Sequence, residues 1–196
     1  MANIDIAQIK KLKELSGVGL TDAKNALVEA DGDFDKALDA MRKKGLTKAE
    51  KRGDRETREG VIDSYIHDGR IGAIIELNCE TSFVAKTDEF KDLAHKLAMQ
   101  IASMAPLYVS EEDIPEAEMT KKLAELETNF KGPENMKEQI LSGQVKKAFA
   151  DKVLLSQPYI LDDSKSVAEF IKEAVAKTGE NIVVRQFKRI ELGVTE

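Results

Sequence analysis

Two segments rich in β-branched residues constrain the fold of this 196-residue chain more than any other feature of its sequence. They span residues 61–67 and 71–78, and the pair Asp68-Gly69 lies between them. An Asp-Gly pair in that position is a strong signal for a tight β-hairpin turn. Because a hairpin alone is barely stable in water, its apolar face needs a covering layer from other elements.

The sequence downstream of the hairpin supplies elements that can form this layer. They are helices at 88–104, 115–152 and 166–177, strands at 158–161 and 181–192, and a turn at 162–164. The first and third helices carry a continuous apolar stripe, whereas the middle region is a highly charged helical excursion. Strands and helices are mixed without strict alternation, so the sequence predicts an α+β fold with an antiparallel sheet covered by helices.

Residues 1–45 show a different pattern, in which apolar residues recur at helical spacing. Two glycine-containing turns divide the segment, which predicts three short helices packed as a bundle. Gly45 stands where a left-handed residue would end the third helix. We therefore predict a three-helix bundle at 1–45, a charged linker at 46–59 and an α+β core at 60–196.

Composition and charge disfavour several classes of function. The formal charge is 30 − 36 = −6, so direct binding to nucleic acid through bulk electrostatics is not expected. The sequence has no apolar run of the roughly 20 residues that a membrane span needs and no secretory signal pattern. A single cysteine, Cys79, excludes an intrachain disulfide and a multi-thiolate zinc site. We expect a cytoplasmic protein with no membrane partner.

One acidic turn begins like a calcium-binding loop but lacks the later positions of that motif. Asp31, Asp33 and Asp35 occupy its first, third and fifth positions. The sixth position is Lys36 instead of glycine, and the twelfth is Arg42 instead of glutamate. The segment is better interpreted as a helix-capping turn, and neither a metal nor a cofactor is expected.

The side chains that could act in catalysis lie far apart. If the hairpin turn holds two residues, His67 pairs with Arg70, and Cys79 lies nine residues further along the strand. At 3.3 Å per residue, the thiol and that imidazole are about 30 Å apart. His95 is expected on the solvated side of its helix, and Cys79 is expected to be a small apolar filler. The sequence thus favours a protein that is not an enzyme.

Two other functions remain open from the residues alone. A helical bundle at the N-terminus can be a nucleic-acid-binding module fused to an α+β domain, and residues 43–59 carry a surplus of three positive charges. Acidic residues outnumber lysines within 1–41, however, and aromatic residues do not interleave with the basic ones. A small-molecule enzyme would require an apolar pocket lined by paired acids.

The connection between the second predicted strand and the next helix holds two bulky apolar residues. Phe83 and Val84 lie within this connection, at 78–86. Phe83 either tucks under the helix as part of the core or projects as an aromatic wedge from a stiff corner. Burial of apolar surface favours the first alternative, whereas a wedge would enter a partner protein.

Four segments resemble signature motifs of the elongation factor Ts family, the bacterial nucleotide-exchange factors of elongation factor Tu. They are LKELSGVGLTDAKN at 12–25, ELNCETSFVAK at 76–86, LLSQPYILDD at 154–163 and TGENIVVRQFKR at 178–189. The resemblance implies an exchange factor that binds elongation factor Tu in its GDP-bound and nucleotide-free states. It also implies a homodimer, because this chain is similar to short members with one core subdomain.

The resemblance assigns partner-binding roles to two places in the chain. The bundle would be a ubiquitin-associated-like module that docks on the GTPase domain, and the 78–86 connection would insert beside the nucleotide pocket and disturb the magnesium site of the partner. The implied contact residues are Leu12, Val18, Gly19 and Leu20 in the bundle, and Thr81, Ser82, Phe83 and Val84 in the connection.

Two positions depart from the family pattern. Ser82 stands where the family usually has an aspartate before the phenylalanine. Both residue types cap helices, but serine lacks the negative charge. Leu20 and Thr21 stand where the family often has two methionines, so that Leu20 keeps an apolar contact and Thr21 weakens that part of the docking surface.

Overall fold

The computed structural model describes residues 5–16, 19–128, 130, 132–133 and 136–194, with the backbone alone at 42 and 45–50. The described helices are α1 (Ile6–Ser16), α2 (Leu20–Glu29), α3 (Phe34–Glu50), α4 (Ser82–Ala85), α5 (Asp88–Met104), α6 (Glu116–Thr128), α7 (Lys137–Phe149) and α8 (Val167–Thr178). The described strands are β1 (Glu59–His67), β2 (Ile71–Cys79), β3 (Pro158–Tyr159), β4 (Asp162–Ser166) and β5 (Ile182–Glu191). The predicted α+β class is confirmed.

Strands β1, β2 and β5 form an antiparallel sheet in the order β1-β2-β5. Asp68 and Gly69 adopt φ values of 48° and 65°, the left-handed conformations that such a hairpin turn requires. His67 pairs with Ile71 and not with Arg70, so the two-residue turn is wrong and three residues form the loop. Arg70 stays outside the ladder because its N–H closes the turn onto the His67 carbonyl, 2.9 Å away.

Helix α5 covers one face of this sheet and forms the main core with it. The buried side chains of this layer alternate along β2 and recur at helical spacing along α5: Ala73, Ile75, Leu77, Cys79, Phe90, Leu93, Ala94, Leu97, Ala98 and Ile101. Helix α8 adds Val167, Ile171 and Val175 to the same core. The predicted apolar stripes of both helices are confirmed.

Both ends of α8 follow local sequence signals. Ser166 and Glu169 form a reciprocal capping box at its start, in which each side chain accepts a backbone N–H of the other residue. Gly179 ends the helix in the left-handed conformation at φ 78°. The observed helix begins and ends one residue later than the predicted span of 166–177.

The turn predicted at 162–164 is wrong, because these residues belong to β4. Strand β4 pairs with β3, and the chain reverses direction just before it, at Ile160 and Leu161. The N–H of Ile160 donates to Oε1 of Gln100 on α5 at 2.8 Å. The position of this chain reversal thus depends on a contact with a distant helix. The local sequence carries no turn signal at Ile160 and Leu161.

The first three helices enclose a second, smaller core. Its buried members are Ile9, Leu12, Ala23, Ala26, Leu27, Ala37 and Met41. Helix α3 continues through Gly45 to Glu50, so the predicted helix end at Gly45 is wrong. Glycine inside a helix costs about 1 kcal/mol, and the packing of α3 against α8 offsets a cost of that size. The segment predicted as a linker at 46–59 therefore begins inside α3.

The charged excursion is helical, as predicted. Helices α6 and α7 pack against each other next to a third small core with Ile114, Val145, Phe149 and Val153. Within the described part of the chain, none of the helices has both the length and the apolar character that a membrane crossing requires.

Two buried glutamines join α5 to the segment before β3. The amide nitrogen of Gln100 donates to Oε1 of Gln157 at 3.1 Å, and both side chains are almost completely buried. The amide nitrogen of Gln157 donates to the carbonyls of Asp151 at 2.7 Å and Met104 at 3.2 Å. These bonds satisfy groups that would otherwise be buried without partners.

Replacing Gln157 with leucine is expected to lower the free energy of unfolding by about 1–3 kcal/mol, because the buried amide of Gln100 and the carbonyls of Asp151 and Met104 lose a partner. Urea denaturation followed by circular dichroism measures this change. Gln186→Leu on the exposed part of β5 is the matched control, with an expected change within about 0.5 kcal/mol. Equal losses in the two variants would contradict a special role for the buried pair.

Candidate functional site

A single helical turn connects the sheet to α5. Strand β2 ends at Cys79, α4 follows, and α5 begins after Thr87. The Thr87 hydroxyl accepts the Phe90 N–H at 3.2 Å and donates to the Val84 carbonyl at 2.8 Å. We call residues 80–87 the corner, and its downstream end is fixed by these bonds to the start of α5.

The corner buries one side of α4 and exposes the other. Ala85 is buried, and Val84 is half-buried against the main core. The side chain of Phe83 is 84% exposed, the highest fraction among the large apolar residues that the structure describes. The alternative in which Phe83 tucks beneath the following helix is therefore wrong.

Thr81 lies at the cap position of α4, but its hydroxyl is used elsewhere. A capping hydroxyl usually accepts a backbone N–H of its own helix, whereas Thr81 Oγ1 donates to Oε1 of Glu180 at 2.6 Å. The Thr81 N–H donates to Oε2 of the same carboxylate at 3.0 Å. The Thr81 carbonyl accepts the Ala85 N–H at 3.2 Å and the Cys79 thiol at 3.3 Å. Of the predicted contact residues, Thr81 is thus bound within the chain, and Ser82 beside it is half-buried.

A second carboxylate ties the corner to the start of β5. Oε1 of Glu80 accepts the Asn181 N–H at 2.7 Å and lies 3.5 Å from the Arg55 guanidinium. The Asn181 side-chain amide donates to the carbonyls of Gly53 at 3.1 Å and Arg55 at 2.8 Å. The upstream end of the corner is therefore connected to β5 and to the segment that follows α3.

The thiol and the imidazoles occupy separate places. Cys79 is fully buried, and burial, with the nearby charge of Glu180, raises the pKa of its thiol. His67 lies at the opposite end of the hairpin, as expected. His95 lies on the exposed side of α5, as expected, and its Nδ1 lies 3.3 Å from the Asp63 carboxylate. Across the described residues, no group of three or more His, Cys, Asp and Glu side chains is placed to hold a metal ion.

Helix α2 carries the exposed part of the predicted docking residues. Gly19 is exposed just before this helix, and Leu20, its first residue, is 53% exposed. Leu12 is fully buried between the three helices, so the expectation that Leu12 contacts a partner is wrong and its role is to support the bundle. Val18 lies outside the described residues.

Sequence analysis did not single out the residues that hold the corner. Glu80 and Glu180 belong to two of the four motifs, and each motif places an acidic residue beside a polar one. The bonded residues are 99 and 101 positions apart in the chain. Neither motif alone shows that the two segments are in contact. The roles of Glu80 and Glu180 can therefore be recognised only from the three-dimensional structure.

Comparison with known proteins gives a consistent family. The family model described as Elongation factor TS matches residues 45–194. A curated protein named elongation factor Ts from Thermotoga maritima is 51% identical over 193 residues, covering 97% of this chain and 96% of that protein. The identity is 47% for the protein of the same name from Moorella thermoacetica, over 97% of this chain and 96% of the relative. It is 45% for that from Fervidobacterium nodosum, over 97% and 98% respectively.

Proposed function

The chain belongs to the elongation factor Ts family, and we propose that it acts in the cytoplasm as a guanine-nucleotide exchange factor for elongation factor Tu. The observation that carries this proposal is the 84% exposed ring of Phe83 on a corner held at both ends. A large apolar side chain kept out of its own core is suited to enter a pocket of a partner. In this proposal Phe83 inserts beside the nucleotide and magnesium sites of elongation factor Tu.

Exchange by this route is a matter of differential binding. A factor that binds the nucleotide-free GTPase more tightly than the nucleotide-bound form weakens nucleotide binding by the same ratio, because the coupling is reciprocal. Insertion of a ring that fits only the opened pocket supplies such a difference. No bond of the nucleotide is made or broken, so the proposed role requires no catalytic side chain and the chain is not an enzyme in this proposal.

The extent to which Phe83 weakens nucleotide binding can be estimated from the apolar area of its ring. Burial of a phenylalanine side chain contributes about 1.5–3 kcal/mol, and 1.4 kcal/mol changes an equilibrium about tenfold. Phe83 alone therefore accounts for a ten- to hundredfold weakening of nucleotide binding, as an order of magnitude. A larger coupling requires that the partner also lose magnesium contacts, or that other surfaces of this chain favour the opened state.

Phe83→Ala is expected to slow GDP release from elongation factor Tu by about ten- to a hundredfold, because the variant loses the apolar surface that distinguishes the two states. Stopped-flow measurement with a fluorescent GDP analogue gives the rate. The matched control is Leu107→Ala, which truncates a residue that is 61% exposed in another loop and should leave the rate unchanged. A Phe83→Ala rate equal to that of the unaltered chain would exclude the wedge.

We propose further that the exposed end of α2 docks on the GTPase domain of elongation factor Tu. Leu20 supplies the apolar contact, and Gly19 beside it allows close approach because it has no side chain. Leu12 contributes only by keeping α1 and α2 packed. This contact would add affinity without entering the nucleotide pocket.

Leu20→Ser is expected to weaken the complex with elongation factor Tu by about tenfold, since it removes most of one apolar contact. Calorimetric titration measures the dissociation constant. Val28→Ser provides a close control, because Val28 is also 53% exposed and also lies on α2. If both variants weaken the complex equally, the contact is not local to Leu20.

The outer face of the β1-β2-β5 sheet supports the homodimer that the family resemblance implies. Ile62, Ile66 and Ile190 are each about 70% exposed on this face. Gly72 pairs with both Ile66 and Ile190, and nothing lies within 4 Å of the place where its Cβ would stand. The face thus combines projecting isoleucines with a depression. We propose that a second copy packs on it, since two-fold association places one surface on itself.

Ile66→Lys combined with Ile190→Lys is expected to convert a dimer into a monomer of 21.7 kDa, because two charges would face two others across the interface. Light scattering after gel filtration gives the mass. Leu161→Lys, which alters an exposed residue between β3 and β4, should leave the dimer intact. An unaltered chain that runs as a monomer at micromolar concentration would rule out this interface.

A further inference from the structure

We propose that Glu180 is a positioning residue that holds the Phe83-bearing turn in the orientation that exchange requires. The inference rests on the exchange function proposed above and assigns a role to a side chain outside the corner. It follows from the bonds that join the end of α8 to the start of α4, two elements that are adjacent in space but distant in the chain.

The Glu180 carboxylate makes a two-point contact with Thr81. Its Oε1 accepts the Thr81 hydroxyl at 2.6 Å, and its Oε2 accepts the Thr81 N–H at 3.0 Å. Hydrogen bonds to an ionised acceptor are shorter and stronger than those between neutral groups, and two of them fix a direction as well as a distance. Thr81 therefore cannot rotate without breaking at least one bond.

Glu180 is itself attached to a rigid part of the molecule. It follows Gly179, whose left-handed conformation ends α8, and its N–H donates to the Thr178 hydroxyl at 3.3 Å. Helix α8 is packed into the main core through three buried side chains. The Glu180 carboxylate thus holds Thr81 at a fixed position relative to the main core.

Helix α4 needs an external support because it has only four residues. A helix of one turn does not repay the entropy of ordering its backbone, so it forms only when its surroundings fix it. The Thr81 carbonyl accepts the Ala85 N–H, which is the bond that closes this turn around Phe83. Releasing Thr81 from Glu180 would let the turn open and would leave the exposed ring without a fixed direction.

A wedge with a fixed direction binds at a lower entropic cost than a mobile one. Rigid presentation of a contact residue improves affinity mainly because less freedom is lost on binding. Within the corner, Phe83 is the one apolar side chain that a partner can reach, since Val84 and Ala85 face the core. Glu180 is therefore expected to affect exchange only through Phe83.

The chain offers a matched control for the loss of such a carboxylate. Glu169, at the other end of α8, accepts the Ser166 N–H at 2.8 Å and the Ser166 hydroxyl at 3.0 Å. The donors match those that Thr81 offers to Glu180, although Glu169 accepts both bonds at Oε2 and Glu180 uses both of its carboxylate oxygens. Glu169→Ala and Glu180→Ala each remove two bonds to one residue, but only the second change releases the corner.

The test compares GDP release from elongation factor Tu with Glu180→Ala, Glu180→Gln and Glu169→Ala. We expect Glu180→Ala to slow release about tenfold and Glu169→Ala less than twofold. Glu180→Gln keeps one acceptor oxygen and should give an intermediate rate. Equal rates for the two alanine variants would show that Glu180 is only structural.

A double-mutant cycle separates positioning from an independent contact. Because Glu180 acts through Phe83, adding Glu180→Ala to Phe83→Ala should cause no further slowing. If the two losses multiply, Glu180 contributes by some other route and the inference is overturned.

Hydrogen–deuterium exchange of the chain alone gives a readout that does not depend on elongation factor Tu. In Glu180→Ala the amides of Thr81, Ala85 and Thr87 should exchange faster than in the unaltered chain, and in Glu169→Ala they should not. Unchanged protection in Glu180→Ala would refute the positioning role even if the unaltered chain promotes exchange. Conversely, an unaltered chain that does not accelerate GDP release would refute the proposed function, while the amide data would still decide whether Glu180 holds the turn.

Discussion

The packing of α5 across the inner face of the β1-β2-β5 sheet is the interaction on which the rest of the structure depends. It buries alternate side chains of β2 under the apolar stripe of α5 and so fixes the angle between strand and helix. Because residues 80–87 alone connect β2 to α5, this angle determines where α4 lies. The exposed ring of Phe83 is thus a consequence of how the core is assembled on either side of it.

Polar contacts then fix the orientation of segments at the edge of the core, which apolar packing does not determine. Apolar burial is not directional, and it does not set the rotation of a single helical turn at the edge of a core. Glu180 accepts two hydrogen bonds from the corner at the end of α8, and Glu80, inside the corner, accepts one from Asn181 at the start of β5 and one from Arg55. Gln100 and Gln157 do the same for the β3–β4 hairpin. In both places, carboxylates or amides orient a segment that the core has only brought close.

Apolar packing forms the core and polar contacts orient the corner, and this arrangement suits a protein whose proposed action is binding and not catalysis. Its one thiol is buried, and burial raises the thiol pKa, which keeps the sulfur protonated and unreactive at neutral pH. Among the described residues, the most exposed large apolar side chain is Phe83, which lies on a short helix with hydrogen bonds at both ends. One exposed apolar side chain lowers the stability of the fold only slightly. Because its position is fixed, little conformational entropy is lost when it binds a partner.

The sequence by itself determined the elements whose signals are local: the hairpin at Asp68-Gly69, the apolar stripe of α5, and the capped ends of α8. Its motifs also identified the family and drew attention to Phe83. Tertiary structure alone decided that α3 continues through Gly45, that 162–164 form a strand, that Leu12 is buried and that Phe83 is exposed. The reason is that helix periodicity, turns and caps depend on neighbours a few residues away. The other outcomes depend on surfaces and hydrogen bonds contributed by distant parts of the chain, as in the bonds that join Thr81 to Glu180 and Asn181 to Gly53.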